Sequence, residues 1–120
     1  MIREADANTT PWSYAGATGG IDNSSTAVTF KASAGAGLRN YITDIQISHA
    51  TLGAATELAI RDGAAGTVLW RMTLNTVANE NISVSFKTPL VGTAATLLEV
   101  VTLTGVTGDV IFNAQGFSAP

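Results

Sequence analysis

Charge is scarce in this chain. Asp, Glu, Lys and Arg make up 12% of its 120 residues, against roughly 25% in ordinary globular domains. A domain so poor in charge either leaves a weakly polar surface in water or covers much of it with protein, and the second alternative predicts a subunit of an assembly. Cysteine is absent, which excludes disulfide staples, thiolate metal sites and cysteine nucleophiles together. The fold must be held by packing. The basic residues are only Arg3, Lys31, Arg39, Arg61, Arg71 and Lys87, scattered singly, and the net charge is -3. No stripe of clustered Lys and Arg exists to hold phosphates, so nucleic acid is not expected as a partner. Long apolar runs are missing too. The most apolar stretch, Leu97 to Leu103, is interrupted by Glu99 and Thr102 and falls far short of the roughly 20 residues of a membrane span. The first ten residues carry charges of both signs and no apolar core, so no secretory signal is expected there, and the chain reads as a soluble protein made in a cytoplasm.

What is present is alternation. At this length one domain with a single core is expected. Residues 1 to 11 are polar, lack periodicity and end at Pro11, which predicts a flexible arm in front of a domain spanning residues 12 to 120. Trp12-Ser-Tyr14 and Ala27 to Lys31 read as short strands, separated by a turn cluster at Gly16, Gly19 and Gly20. From Tyr41 to His49 the period is two, with Ile45 and Ile47 on one side and Asp44, Gln46 and Ser48 on the other. Ala50 to Thr56 reads as a loop. Leu58 and Ile60 then alternate with polar neighbours, and Asp62-Gly-Ala-Ala-Gly66 supplies the reversal into Thr67 to Leu74, the clearest hairpin in the chain. Val68, Trp70, Met72 and Leu74 share one face, with Trp70 in the core, as do Ile82, Val84 and Phe86 in the strand that follows. Pro89 is expected to end that strand, because it cannot donate to a ladder.

The last two strands break the pattern. Leu98 and Val100 share one face while Leu97, Val101 and Leu103 share the other, and Val110 and Phe112 are backed by Ile111 and Phe117. Two apolar faces belong to strands covered on both sides, and no helical segment is available as cover. A neighbouring subunit is the simplest one. The fold class expected is all-β: an antiparallel β-sandwich of about eight strands, jelly-roll or a related Greek key, with an oligomer interface along the C-terminal strands.

Three runs suggest a family. Leu38-Arg-Asn-Tyr-Ile-Thr-Asp-Ile-Gln-Ile-Ser-His49, Ile60-Arg-Asp-Gly-Ala-Ala-Gly-Thr-Val-Leu-Trp-Arg71 and Phe112-Asn-Ala-Gln-Gly-Phe117 together resemble small structural proteins of tailed bacteriophages, over most of residues 12 to 117. The chain is similar to trimeric β-sandwich proteins that decorate or cement phage heads. That resemblance implies a virion location, a homotrimer, the major capsid protein as partner and no enzymatic activity. The motifs themselves carry no chemistry, and head, tail and fibre proteins share such sandwiches.

Residue by residue, the chemistry is sparse. His49 is the only histidine; with no second His and no Cys it reads as a hydrogen-bonded structural residue at a strand end. A serine triad would need His49, Asp44 and a serine, but no Gly-x-Ser-x-Gly elbow exists to hold the nucleophile. The carboxylates Asp44, Glu57, Asp62, Glu80, Glu99 and Asp109 lie apart at strand ends and loops, match no calcium loop, and read mostly as solvated. A glycosidase pair converging in space is the residual enzymatic alternative. No catalytic residue, metal site or cofactor is therefore expected. The sequons at Asn8, Asn23 and Asn81 carry no weight in a chain rich in Ser and Thr. The partner-binding residues singled out are Ile2 and Arg3 in the arm, Trp12 and Tyr14 behind it, and Leu97, Val101, Leu103, Ile111 and Phe117 on the second faces of the last strands. Trp12 and Tyr14 have two readings, a sugar-stacking platform of an adhesion module or anchors of the first strand, and the second is preferred.

Overall fold

A computed structural model describes residues 9–16, 26–77 and 80–120. The eight strands are β1 (Thr10–Tyr14), β2 (Val28–Lys31), β3 (Arg39–His49), β4 (Thr56–Asp62), β5 (Thr67–Leu74), β6 (Glu80–Val91), β7 (Leu98–Thr102) and β8 (Val110–Ala119). They form two four-stranded sheets, ordered β1-β8-β3-β6 and β2-β7-β4-β5, with every pairing antiparallel. The pairs nest: β4 with β5, β3 with β6, β2 with β7 and β1 with β8. A long hairpin folded over on itself in this way is the jelly roll, and the expected sandwich is found with its eight strands. Ile2, Arg3, Gly19, Gly20 and the sequons at Asn8 and Asn23 lie outside the described residues, as does the arm up to residue 8. Thr10 and Pro11, assigned to the arm on sequence, pair with Ser118 and Phe117 in β1.

The core lies between the two sheets. Ile42, Ile45, Ile47 and Phe112 enter it from one sheet and Leu58, Ile60, Leu98 and Val100 from the other, all essentially inaccessible to water. Ile42 and Ile45 are three residues apart yet both point inward, because the ladder is irregular between Ile42 and Asp44. A bulge adds one residue and reverses the alternation beyond it. The strict period of two across Tyr41 to His49 is thereby corrected: Asn40 and Ile42 face inward, and Tyr41 stacks on Phe117 with ring centroids 4.7 Å apart. Trp70 points inward as expected but is only half-buried, because β5 is an edge strand that among the described residues pairs with β4 alone.

β6 does not end at Pro89 but continues to Val91. Two features permit this. Among the described residues β6 is an edge strand bonded only to β3, so a missing N–H can face outward. Its register also slips there, from Ser85 opposite Asp44 to Leu90 opposite Ile42, which leaves Pro89 in an unpaired stretch.

Thr102 sits directly opposite Leu58, is inaccessible to water and has a hydroxyl without a hydrogen-bond partner among the described residues. A buried polar group left unpaired forfeits its hydration with nothing in return. Thr102→Val is expected to raise stability by about 1 kcal/mol, read as an upward shift of the calorimetric melting temperature.

Candidate functional site

Those residues singled out for partner binding that the structure describes do not converge. β7 and β8 belong to different sheets, so their outer faces point away from each other on opposite sides of the sandwich. No single neighbour could cover Leu97, Val101 and Leu103 together with Ile111 and Phe117. Val101 is 2% exposed within one chain, paired with the equally buried Ala59 because β7 lies between β2 and β4. Its burial needs no partner, which corrects the argument for an interface at this residue. Leu97 is half-buried and Leu103 is 39% exposed; they flank the two ends of β7. Ile111 is half-buried, and Phe117 leans on Tyr41.

Trp12 and Tyr14 are anchors. Their rings lie 6.1 and 6.2 Å from Phe30, and Phe30 in turn lies 5.0 Å from Phe112. They pack against these core rings along the β1–β2 edge of the sandwich and are themselves half-buried. The close approach depends on Gly116, which faces Trp12 in the ladder: a Cβ there would fall 2.7 Å from the indole.

The one histidine is fully committed. Its side chain is inaccessible to water; Nδ1 lies 2.8 Å from the Ala50 carbonyl oxygen and Nε2 2.9 Å from Glu80 Oε1. Glu80 Oε2 also accepts a hydrogen bond from Asn75 Nδ2 at 3.2 Å. This clamp ties the end of β3 to the start of β6 and to the loop after β5. Both ring nitrogens face protein acceptors, and Ser48 lies on the opposite face of β3, so these two residues form no Ser-His pair. A cleft of about 340 Å³ opens beside this clamp, lined by Ser48, His49, Ala50, Asn81, Asp109 and Ile111. Among the described residues no group of three or more His, Cys, Asp or Glu side chains is arranged to hold a metal ion.

Sequence reasoning missed the role of Glu99. It is 4% exposed, not solvated. Its Oε2 accepts hydrogen bonds from Arg61 Nε at 2.6 Å and from the Ala65 backbone N–H at 2.9 Å. Ala65 has φ of 53°, a left-handed conformation that costs a non-glycine residue on the order of 1 kcal/mol. One carboxylate thus holds the β4–β5 turn in a conformation its sequence resists. The signal available in sequence was the pairing of Glu99 and Arg61 on central strands, but their adjacency appears only once β7 and β4 are paired.

In its middle the outer face of the β1-β8-β3-β6 sheet is polar, between Ile111 at one end of β8 and the Tyr41–Phe117 stack at the other. Gln46 and Gln115 exchange two amide hydrogen bonds at 3.2 Å, and the Ser85 hydroxyl donates to Asp44 Oδ1 at 2.6 Å. The hydroxyl of Ser85, and secondarily that of Thr43, holds the Asp44 carboxyl below the ordinary value of 3.8. A carboxylate lowered in the folded state adds stability above its unfolded pKa and loses it as the pH falls through the folded one. Ser85→Ala is expected to move the Asp44 titration, followed by carboxyl-carbon NMR, upward toward 3.8.

No protein-family model matches the chain, and no curated protein does. Among solved structures, an insecticidal delta-endotoxin from Bacillus thuringiensis is 16% identical, with a TM-score of 0.42 over 92% of this chain and 19% of that one; the chain spans about a fifth of the endotoxin's length. The coat protein of tobacco streak virus is 14% identical, with a TM-score of 0.41 over 94% of this chain and 88% of that one. A structure of the same coat protein as a dimer gives 14% identity and 0.39 over 95% and 88%. The jelly-roll assignment itself rests on the strand order of this chain.

Proposed function

We propose that this protein is a structural component of a tailed-phage virion that binds the outer surface of the head as an oligomer and stabilises the capsid lattice. The observation that carries this reading is a complete jelly roll, an architecture used by viral capsid domains and lectins, whose one histidine has both ring nitrogens tied to protein acceptors. The resemblance of the Leu38–His49, Ile60–Arg71 and Phe112–Phe117 runs to phage structural proteins supports the same reading, as does a composition with 12% charged residues. The partner is the major capsid protein, and the mechanism is mass action: a protein that binds only the intact lattice stabilises that lattice.

The test is copy number. Purified heads should carry the protein in hundreds of copies, and heads stripped of it should break at lower temperature or after milder osmotic shock. A handful of copies per particle would place it at a vertex or tail and sink the decoration role. A second reading, a glycan-binding module of a tail or fibre, draws on the cleft, where the hydroxyl of Ser48, the amide of Asn81 and the carboxylate of Asp109 gather beside the apolar Ile111. Under it, host glycans should shift the NMR signals of Asn81 and Asp109.

A further inference from the structure

An edge strand exposes a row of unpaired N–H and C=O groups, and natural sandwiches blunt such edges with short length, proline, charge or a bulge. Three of the four edges here carry such devices. β1 has five residues and contains Pro11. β2 has four, with an irregular register between Thr29 and Lys31. β5 carries Arg71 and, at Leu69, a bulge that takes it out of step with β4. β6 keeps its devices at its ends, with Glu80 at the start and Lys87, Pro89 and the register slip after Ser85. Between them, from Asn81 to Ser85, it pairs residue for residue with β3, and from Asn81 to Phe86 it holds neither a charge nor a proline. Among the described residues its one strand neighbour is β3.

The side chains at this edge are also left half-sealed. Ile82, Val84 and Phe86 are half-buried, as are Leu69, Trp70 and Met72 across the mouth of the sandwich on β5, with Trp70 edge-on to Phe86 at 6.4 Å; Val68, expected on the face of Trp70, lies beyond the bulge opposite Arg61 and is turned outward. The apolar mouth and the undefended stretch of β6 coincide.

The pattern of the strand says what fits it. Around Val84 the sequence is symmetric in polarity: Ser83 and Ser85 point outward on either side, and Ile82 and Phe86 point inward beyond them. An identical strand laid antiparallel about a twofold axis through Val84 sets Ile82 against Phe86 and Ser83 against Ser85. Apolar and β-branched side chains meet each other, hydroxyls meet hydroxyls, and no like charges are opposed. We infer that a second copy of this chain covers the β6 edge, β6 pairing with β6 so that the four-stranded β1-β8-β3-β6 sheets of two copies run on as one. This contact is twofold where the resemblance implies a trimer, and it stands independently of attachment to a capsid.

Light scattering on the full chain at micromolar concentration should give about twice the 12.3 kDa mass of one copy. Ser83→Lys combined with Ser85→Lys sets like charges opposite one another across the axis and should yield a folded monomer. The corresponding pair of substitutions to glutamate should do the same, and mixing the two variants should restore the dimer, since each ammonium then faces a carboxylate. Amide exchange on the unmodified chain gives a reading that needs no variant: exchange between Asn81 and Phe86 should slow as the concentration is raised. A monomeric or trimeric parent, a dimer indifferent to the paired lysines, folded variants that fail to associate on mixing, or concentration-independent exchange in β6 would each overturn the inference.

Discussion

Glu99→Ala is expected to lower stability by about 3 kcal/mol and the melting temperature by on the order of 10 °C. The carboxylate holds two structures at once, the Arg61 guanidinium and the backbone of Ala65. Its removal leaves a largely buried cation without its partner and the Ala65 N–H without its acceptor, so that the left-handed turn keeps only its backbone bonds from Gly66 to Gly63 and from Gly63 to Leu97. Loss of one member of a buried pair costs about 3–5 kcal/mol when the survivor cannot reach water. The Arg61 side chain is 20% exposed, so part of its hydration returns and the lower end applies. A second substitution separates charge from packing. Arg61→Leu added to Glu99→Ala removes the stranded cation, and because apolar replacement of a whole buried pair is often close to neutral, the double variant should melt above the single one. Equal melting temperatures would show that the Ala65 turn, not the ion pair, is what Glu99 sustains.

The second large effect is expected at Phe112. Phe112→Ala should destabilise by about 3–5 kcal/mol, against a total near 5–15 kcal/mol for a domain of ordinary stability, and should leave the protein largely unfolded in modest urea. Phe112 is inaccessible to water and lies at the junction of the two sheets, 5.0 Å from Phe30 and 6.5 Å from Tyr14. Truncation opens a cavity that rigid β-strands cannot collapse into. The neighbouring Ile111 is the control. It lies on the outer face and is half-buried, so Ile111→Ala should cost about 1 kcal/mol. Urea midpoints for the pair read out the parity of β8 directly, and equal losses would mean that the strand is out of register.

Much of the fold was legible in the chain. Alternation at Ile45 and Ile47, at Leu58 and Ile60, and at Ile82 and Val84 marks strands because successive side chains of a pleated strand must point to opposite faces. The Asp62 to Gly66 reversal is legible for the same local reason: Gly63 takes φ of 93°, which glycine alone adopts without penalty. The commitment of His49 to structure followed from its parity with Ile45 and Ile47 and from the lack of a second His or any Cys, while the packing of Trp12 and Tyr14 on Phe30 was one of two readings open in the sequence. Other features were not legible. The bulge after Ile42 leaves no mark in composition, and the slip that lets β6 pass Pro89 depends on which strand lies opposite.

Residue order alone was enough to mark most strands and turns and the all-β class, because pleat alternation and turn chemistry act between residues a few positions apart; the ends of β1 and β6 were not marked in this way. Only the tertiary structure decided which strands became central and which became edges. That choice rests on contacts between distant residues, such as the hydrogen bond from Ser118 to Asn40 across 78 positions. Val101 and Val84 are both valines in strands; the first is buried between two neighbours, while the second is left at an open margin. Coverage by adjacent strands is a property of pairing order, and pairing order is set when the nested hairpin closes on itself.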